Sequence, residues 1–295
     1  MTVVSPEELH DALVMKRVRE HYEEALQYFP SYQIVGCFLQ GSQNYKLDYE
    51  GSDVDTKLIV VPKFEDICLN KKPVSTTHVR ANNEHIDFKD VRLYMDTFRK
   101  QNLNFLEILF TPYYIINPMY KEEWMRLVAK REEIARMNPF RAVKSMKGIA
   151  HEKFAAMEKP YPSKIEIIEK YGYDGKQNSH LERVDDYLQR YINGELYANC
   201  LIPSPERVPH IMDYKMLDRI PLEVAREEAK ATLAHVDKIA NEFCDRTPEI
   251  EDETMRRLLE SVSYNIMEIA VKEELGFNDI YYSGPRETLG GEWAW

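Results

Sequence analysis

The sequence predicts an α+β chain, and three observations carry that prediction. Short β-rich runs are gathered before Pro112, helical periodicity dominates after it, and Pro, Gly or Asn punctuation separates the segments. With 295 residues the chain is long enough to bury a full core, and two modest domains are expected in preference to one large one.

The elements follow in order. Ser5-Pro6-Glu7-Glu8 has an N-cap residue, Pro at the first helical position and Glu three residues after the cap, so a helix starts here and runs to about Phe29. Leu9, Leu13, Val18, Tyr22 and Leu26 recur at helical spacing and are its expected buried stripe. Tyr32 to Leu39 reads as a strand that stops at Gly41-Ser42, and Val54 to Val61 as a second strand that ends at Pro62. Val74 to Arg80 and Glu84 to Phe88 read as a hairpin, because Asn82-Asn83 between them tolerates the positive φ of a tight turn. A helix resumes after Asp90 as N-cap, with Val91, Tyr94, Met95 and Phe98 on its apolar face. Helices are then expected at 119–135, 139–157, 175–192, 221–243 and 253–274, and an aperiodic tail from Phe277 to Trp295.

Composition narrows the function. No stretch approaches the roughly 20 apolar residues of a membrane span, and Met1 to Glu8 lacks the pattern of a signal or transit peptide, so a cytoplasmic setting is expected. Cys37, Cys68, Cys200 and Cys244 are widely spaced and read as reduced thiols, neither a disulfide framework nor a zinc site. A net charge of -11 disfavours nucleic-acid binding by bulk attraction, while leaving room for a local basic cleft.

Chemistry concentrates in the N-terminal third. Asp53 and Asp55 are two residues apart at a strand start, so their carboxylates share a face. At about 4 Å such a pair repels by roughly 4 kcal/mol at an effective dielectric of about 20, a conflict that a divalent cation resolves. Mg2+, or Mn2+ in its place, suits a site of one or two carboxylates completed by substrate phosphates. Gly41 permits close backbone approach, and Ser42 offers a hydroxyl and an amide to phosphate oxygens. Asp87 is the expected third carboxylate, with Asp90 as the alternative, and three carboxylates accommodate two metal ions for in-line nucleotidyl transfer. Lys57 shares the face of Asp53 and Asp55, where it neutralises that cluster or touches phosphate. Glu107, among apolar neighbours, reads as a core cap or ion-pair partner. Arg141, Lys144 and His151 share a helical face that a charged surface explains equally well.

Gly-Ser-Gln-Asn-Tyr at 41–45, Ser-Asp-Val-Asp-Thr-Lys at 52–57, Asn-Phe-Leu-Glu-Ile-Leu at 104–109 and Tyr-Asp-Gly-Lys at 173–176, continuing to His180 and Arg183, together resemble the DNA polymerase β nucleotidyltransferase superfamily, in its uncharacterised phage and bacterial branch. The likeness runs from about Gln33 to Gly194 and departs at Lys46, where the pattern leads one to expect glycine. It implies a mixed β-sheet catalytic domain with flanking helices over 1–117, then a helical domain over 118–276 that closes one side of a nucleotide cleft. It implies an enzyme that moves a nucleoside monophosphate from a nucleoside triphosphate such as ATP to an acceptor, releasing pyrophosphate. Asp53, Asp55 and Asp87 would hold the metals, with Asp87 helping to activate the acceptor.

Lys176, His180 and Arg183 fall at i, i+4 and i+7 on one helical face; the resemblance makes them contacts to the triphosphate, and without it they read as a solvated surface. RNA, protein, a small molecule and a second nucleotide all stay open as acceptor. The rival readings are a non-catalytic nucleotide sensor or toxin-neutralising partner that retains the fold, and a glycosyltransferase, against which the Gly-Ser loop argues.

Overall fold

The computed structural model describes residues 5–216 and 219–277, so the expected tail lies, Phe277 apart, outside the described residues. The architecture is α+β: a mixed five-stranded sheet with flanking helices, followed by a helical region. The strands are β1 (Gln33–Gln40), β2 (Asp55–Val61), β3 (Ser75–Val79), β4 (His85–Asp90) and β5 (Tyr114–Ile116), in spatial order β3-β4-β2-β1-β5. β2 and β4 run parallel and the other neighbours antiparallel. The helices are α1 (Pro6–Tyr28), α2 (Phe64–Cys68), α3 (Val91–Arg99), α4 (Leu103–Leu106), α5 (Lys121–Ala129), α6 (Arg131–Ala135) and α7 (Pro139–Ala156). They continue with α8 (Ile165–Tyr171), α9 (Gly175–Ile192), α10 (Tyr197–Leu201), α11 (Val208–Lys215), α12 (Leu222–Arg246) and α13 (Glu253–Glu274).

Ser5 closes the expected capping box with Glu8, but the buried stripe of α1 matches the expected one only at Val18 and, partly buried, at Tyr22. Leu9, Leu13 and Leu26 are exposed, at 56%, 55% and 46%, while Val14, Val18, His21 and Ala25 are buried against the sheet. Both sets have helical spacing; a histidine inside the buried stripe disguises it in the sequence. The face that α1 covers is lined by Cys37, Leu39, Leu58, Val60, Ile86 and Phe88. Alternation along β2 therefore turns Asp55, Lys57, Ile59 and Val61 to the other face. There Ile59 and Val61 join Val35 and Phe38 in a core that continues without interruption into Leu181, Val236 and Leu259 of the helical region.

The hairpin turns at 81–83 with Asn83 at φ 65, and Asp90 caps α3 by accepting from the Arg92 amide at 2.9 Å. Val91, Tyr94, Met95 and Phe98 are the buried face of α3, as the periodicity requires. The single helix expected over 119–135 is instead a turn and two helices, broken at Lys130. The break lets Glu132 cap α10, accepting from the amides of Tyr197 at 2.7 Å and Ala198 at 3.0 Å. β5, α2, α8, α10 and α11 were not expected; none is longer than the eight residues of α11, too few turns for a recurring pattern to stand out.

Candidate active site

The site lies at the C-terminal end of β1, where the sheet meets α7, α9 and α11 around a cleft of about 520 Å³. β1 stops at Gln40 because Gly41 takes φ 105, a conformation that strains any side chain, and Ser42–Tyr45 then coil into one tight turn. Lys46 closes the turn at φ 55, so the lysine adopts the left-handed backbone that a glycine there would adopt freely. Gly41 and Ser42 both line the cleft.

Asp53, two residues before β2, and Asp55, its first residue, line the same cleft. Asp55 accepts from the His85 amide at 2.8 Å and meets His85 Nδ1 at 3.2 Å, while Asp53, about half exposed, lies 3.8 Å from Lys176 Nζ. Lys57 also lines the cleft but is buried, its ammonium 5.0 Å from the centre of the Phe105 ring. Burial pushes its pKa down to about 8, against the pull of Asp87 and Asp55.

The two candidates for the third carboxylate have separate fates. Asp90 is buried as the α3 cap and pairs with Arg92 at 2.7 Å. Asp87 sits beside Lys57 in the parallel register, on the cleft face of the sheet, yet does not itself line the cleft. Its carboxylate accepts from Thr77 Oγ1 at 2.5 Å and from Gln40 Nε2 at 3.4 Å, and Gln40 is the residue that reaches the cleft wall.

The facing wall is cationic. Asp174 caps α9, accepting from the Lys176 amide at 3.1 Å, and the helix then presents Lys176, His180 and Arg183 to the cleft. Burial, reinforced by Arg183, Lys153, Lys176 and Lys215, holds the His180 imidazole well below its ordinary pKa, so this residue is neutral at pH 7. Arg183 is almost fully buried, stacks 3.8 Å from the centre of the Tyr45 ring, and has Nε and Nη1 without a protein partner. An unpaired buried guanidinium is costly, and an anion in the cleft is the natural relief.

Tyr45, Lys153, Lys164 and Lys215 also line the cleft, and none of these side chains is a site candidate from the sequence alone. Lys215 donates to the Leu47 carbonyl at 2.5 Å, and burial takes its pKa down to about 8. Glu107 is likewise a cleft residue. Its carboxylate accepts from the Tyr45 hydroxyl, tying the Gly-Ser turn to the segment after α4. Burial raises its pKa to about 8 against the pull of Arg183 and of the Gly41 backbone. Arg141 and His151 are engaged elsewhere, with Glu249 and Asp237.

Among the described residues no group of three or more His, Cys, Asp or Glu side chains is gathered to hold a metal ion. Two carboxylates nevertheless fit a Mg2+ that shares substrate phosphates and keeps water in its remaining positions. Asp53 and Asp55 are that pair, and the donor set is all oxygen, as a hard cation requires.

No known protein family and no curated protein sequence matches the chain. Among solved structures, a nucleotidyltransferase-like protein from Exiguobacterium sibiricum is similar over 88% of this chain and 92% of its own, at 11% sequence identity and a TM-score of 0.29. So loose a superposition carries no argument about chemistry, and the cleft must be read from its own residues.

Proposed function

We propose that the chain is a metal-dependent nucleotidyltransferase, transferring a nucleoside monophosphate from a nucleoside triphosphate, ATP among the candidates, to an acceptor with release of pyrophosphate. The observation that carries this reading is the two-walled cleft. Asp53 and Asp55 line one side, while Lys176, Arg183 and Lys215 line the other, in a protein of net charge -11. A substrate that satisfies both walls must bring a cation to the carboxylates and an anion to the lysines and arginine, and a metal-bound triphosphate brings both.

Asp53 and Asp55 would hold a divalent cation, which when bound would supply Lewis-acid polarisation of the phosphoryl oxygens. Arg183 offers its unpaired nitrogens to phosphate oxygen, while Lys176 exchanges Asp53 for phosphate. His180, neutral, donates or accepts a hydrogen bond without adding charge. Asp87 is set behind Lys57, so its contribution to acceptor activation passes through Gln40 or through movement of Lys57. The acceptor attacks the α-phosphate, the bond to the bridging oxygen breaks, and pyrophosphate leaves toward the cationic wall.

The test is to supply each α-labelled nucleoside triphosphate with Mg2+ and candidate acceptors, then follow both the label and pyrophosphate. Wild-type protein transfers label and releases pyrophosphate, whereas Asp53→Ala and Asp55→Ala do neither while keeping the wild-type circular dichroism. Tight nucleotide binding without any transfer to RNA, protein, nucleotide or small molecule would assign the cleft to a sensor instead.

A further inference from the structure

Asp53 stands outside every strand pairing. β2 begins at Asp55, whose partner in register is Gln40, so the sheet does not hold the peptide planes on either side of Asp53. Backbone groups at such a place need other partners, and here side chains from separate parts of the chain supply them. Arg17 of α1 donates from Nη1 to the Ser52 carbonyl at 3.0 Å. Gln43, in the Gly-Ser turn, donates from Nε2 to the Asp53 carbonyl at 2.9 Å. Glu84, at the end of the hairpin turn, accepts from the Val54 amide at 3.1 Å. The peptide units before and after the Asp53 Cα are thus both gripped, which fixes the direction of its Cα–Cβ bond.

Glu84 is 1% exposed, and its buried charge is fully matched. Arg17 pairs with it directly, Arg80 Nη1 lies at 2.7 Å and His21 Nε2 at 2.9 Å. Burial takes the His21 pKa down to about 4, so the imidazole is neutral: it donates through Nε2 to Glu84 and accepts at Nδ1 from Thr56 Oγ1, 2.9 Å away. Replacing Glu84 therefore disturbs several groups at once. Arg17, by contrast, has a side chain 35% exposed, so its removal is a milder probe.

We propose that Arg17 and Glu84 are positioning residues, which aim the Asp53 carboxylate into the cleft by holding the Ser52 carbonyl and the Val54 amide. The inference rests on the nucleotidyltransferase reading for its consequence, metal affinity, but its geometry has a separate readout. The full-length protein and its Arg17→Met, Arg17→Lys and Glu84→Gln variants are compared by Mn2+ titration with ATP present, by steady-state kinetics, and by amide exchange at Val54 with Leu58 as the strand-interior control.

Arg17→Met is expected to weaken Mn2+ binding by about tenfold, the usual scale for groups that orient metal ligands. It is expected to lower kcat with little change in KM for the triphosphate, and to speed exchange at Val54 but not at Leu58. Arg17→Lys recovers part of each effect, and Glu84→Gln reproduces the loss should Arg17→Met fold poorly. Faster Val54 exchange with unchanged Mn2+ affinity and kcat reduces the clamp to a structural support and overturns the proposal, as does unchanged exchange. A wild-type protein that binds no Mn2+ overturns the nucleotidyltransferase reading and the proposal with it, whereas wild-type binding that Arg17→Met leaves intact overturns the proposal alone.

Discussion

Glu107 shows how much one buried side chain does at this site. It receives the Tyr45 hydroxyl, so the Gly-Ser turn is anchored to the protein interior through a carboxyl group. Burial raises its pKa from the ordinary 4.5 to about 8. A group whose folded pKa is raised contributes stability that is fully present below its unfolded value and is lost as pH rises through the folded one. The folded state should therefore lose stability between about pH 4.5 and pH 8 on this account. Glu107→Gln keeps the acceptor oxygen but has no proton to lose. Urea unfolding from pH 5 to pH 8 is expected to show the variant gaining on the wild type as pH rises, and a difference independent of pH would mean that Glu107 is ionised in the fold throughout.

Helix α9 is the element on which the cationic wall depends. Asp174 at its cap fixes where Lys176 emerges, and one turn then separates Lys176 from His180 and the next from Arg183. Lys176 is half exposed and only loosely paired with Asp53, so it is free to serve a ligand, and salt should screen what it contributes. Lys176→Ala is expected to weaken triphosphate binding more than monophosphate binding, by up to about tenfold for a lost charge-assisted contact, with the gap closing as salt rises. Equal losses for both nucleotides at every salt concentration would place the phosphates elsewhere.

This wall was only partly legible in the sequence. The i, i+4, i+7 spacing brings Lys176, His180 and Arg183 to one face, but Lys215 arrives on α11, eight residues long and without a clear period. Glu107 and Tyr45 were visible as residues, not as partners, because a contact between positions 62 residues apart leaves no local pattern. Strands β1 to β4, the Asn82-Asn83 turn and the Asp90 cap were readable for the opposite reason: each rests on neighbouring residues. The stripe of α1 misled because periodicity reports spacing, whereas the sheet decides which of two equally spaced faces is covered.

At the scale of the whole molecule, the apparent contradiction is an acidic protein with a cleft rich in lysine and arginine. Net charge -11 repels a free triphosphate at a distance, so association depends on neutralisation at close range. Lys153, Lys164, Lys176, Arg183 and Lys215 line the cleft together with Asp53 and Asp55, and on the proposed reading the former neutralise the phosphates while the latter hold the cation. No described helix is long and apolar enough to cross a membrane, and the core runs unbroken from sheet to helices, so the two walls are joined through one packed interior. The central claim is that nucleotide and divalent cation bind together in this cleft. Calorimetric titration of ATP into the protein, with Mg2+ and then with the Mg2+ removed by chelator, tests it most directly. The account predicts that affinity falls by about tenfold or more without the cation, because triphosphate and carboxylates then repel, and that Asp53→Ala narrows the difference. Equal affinity in the two titrations would contradict it.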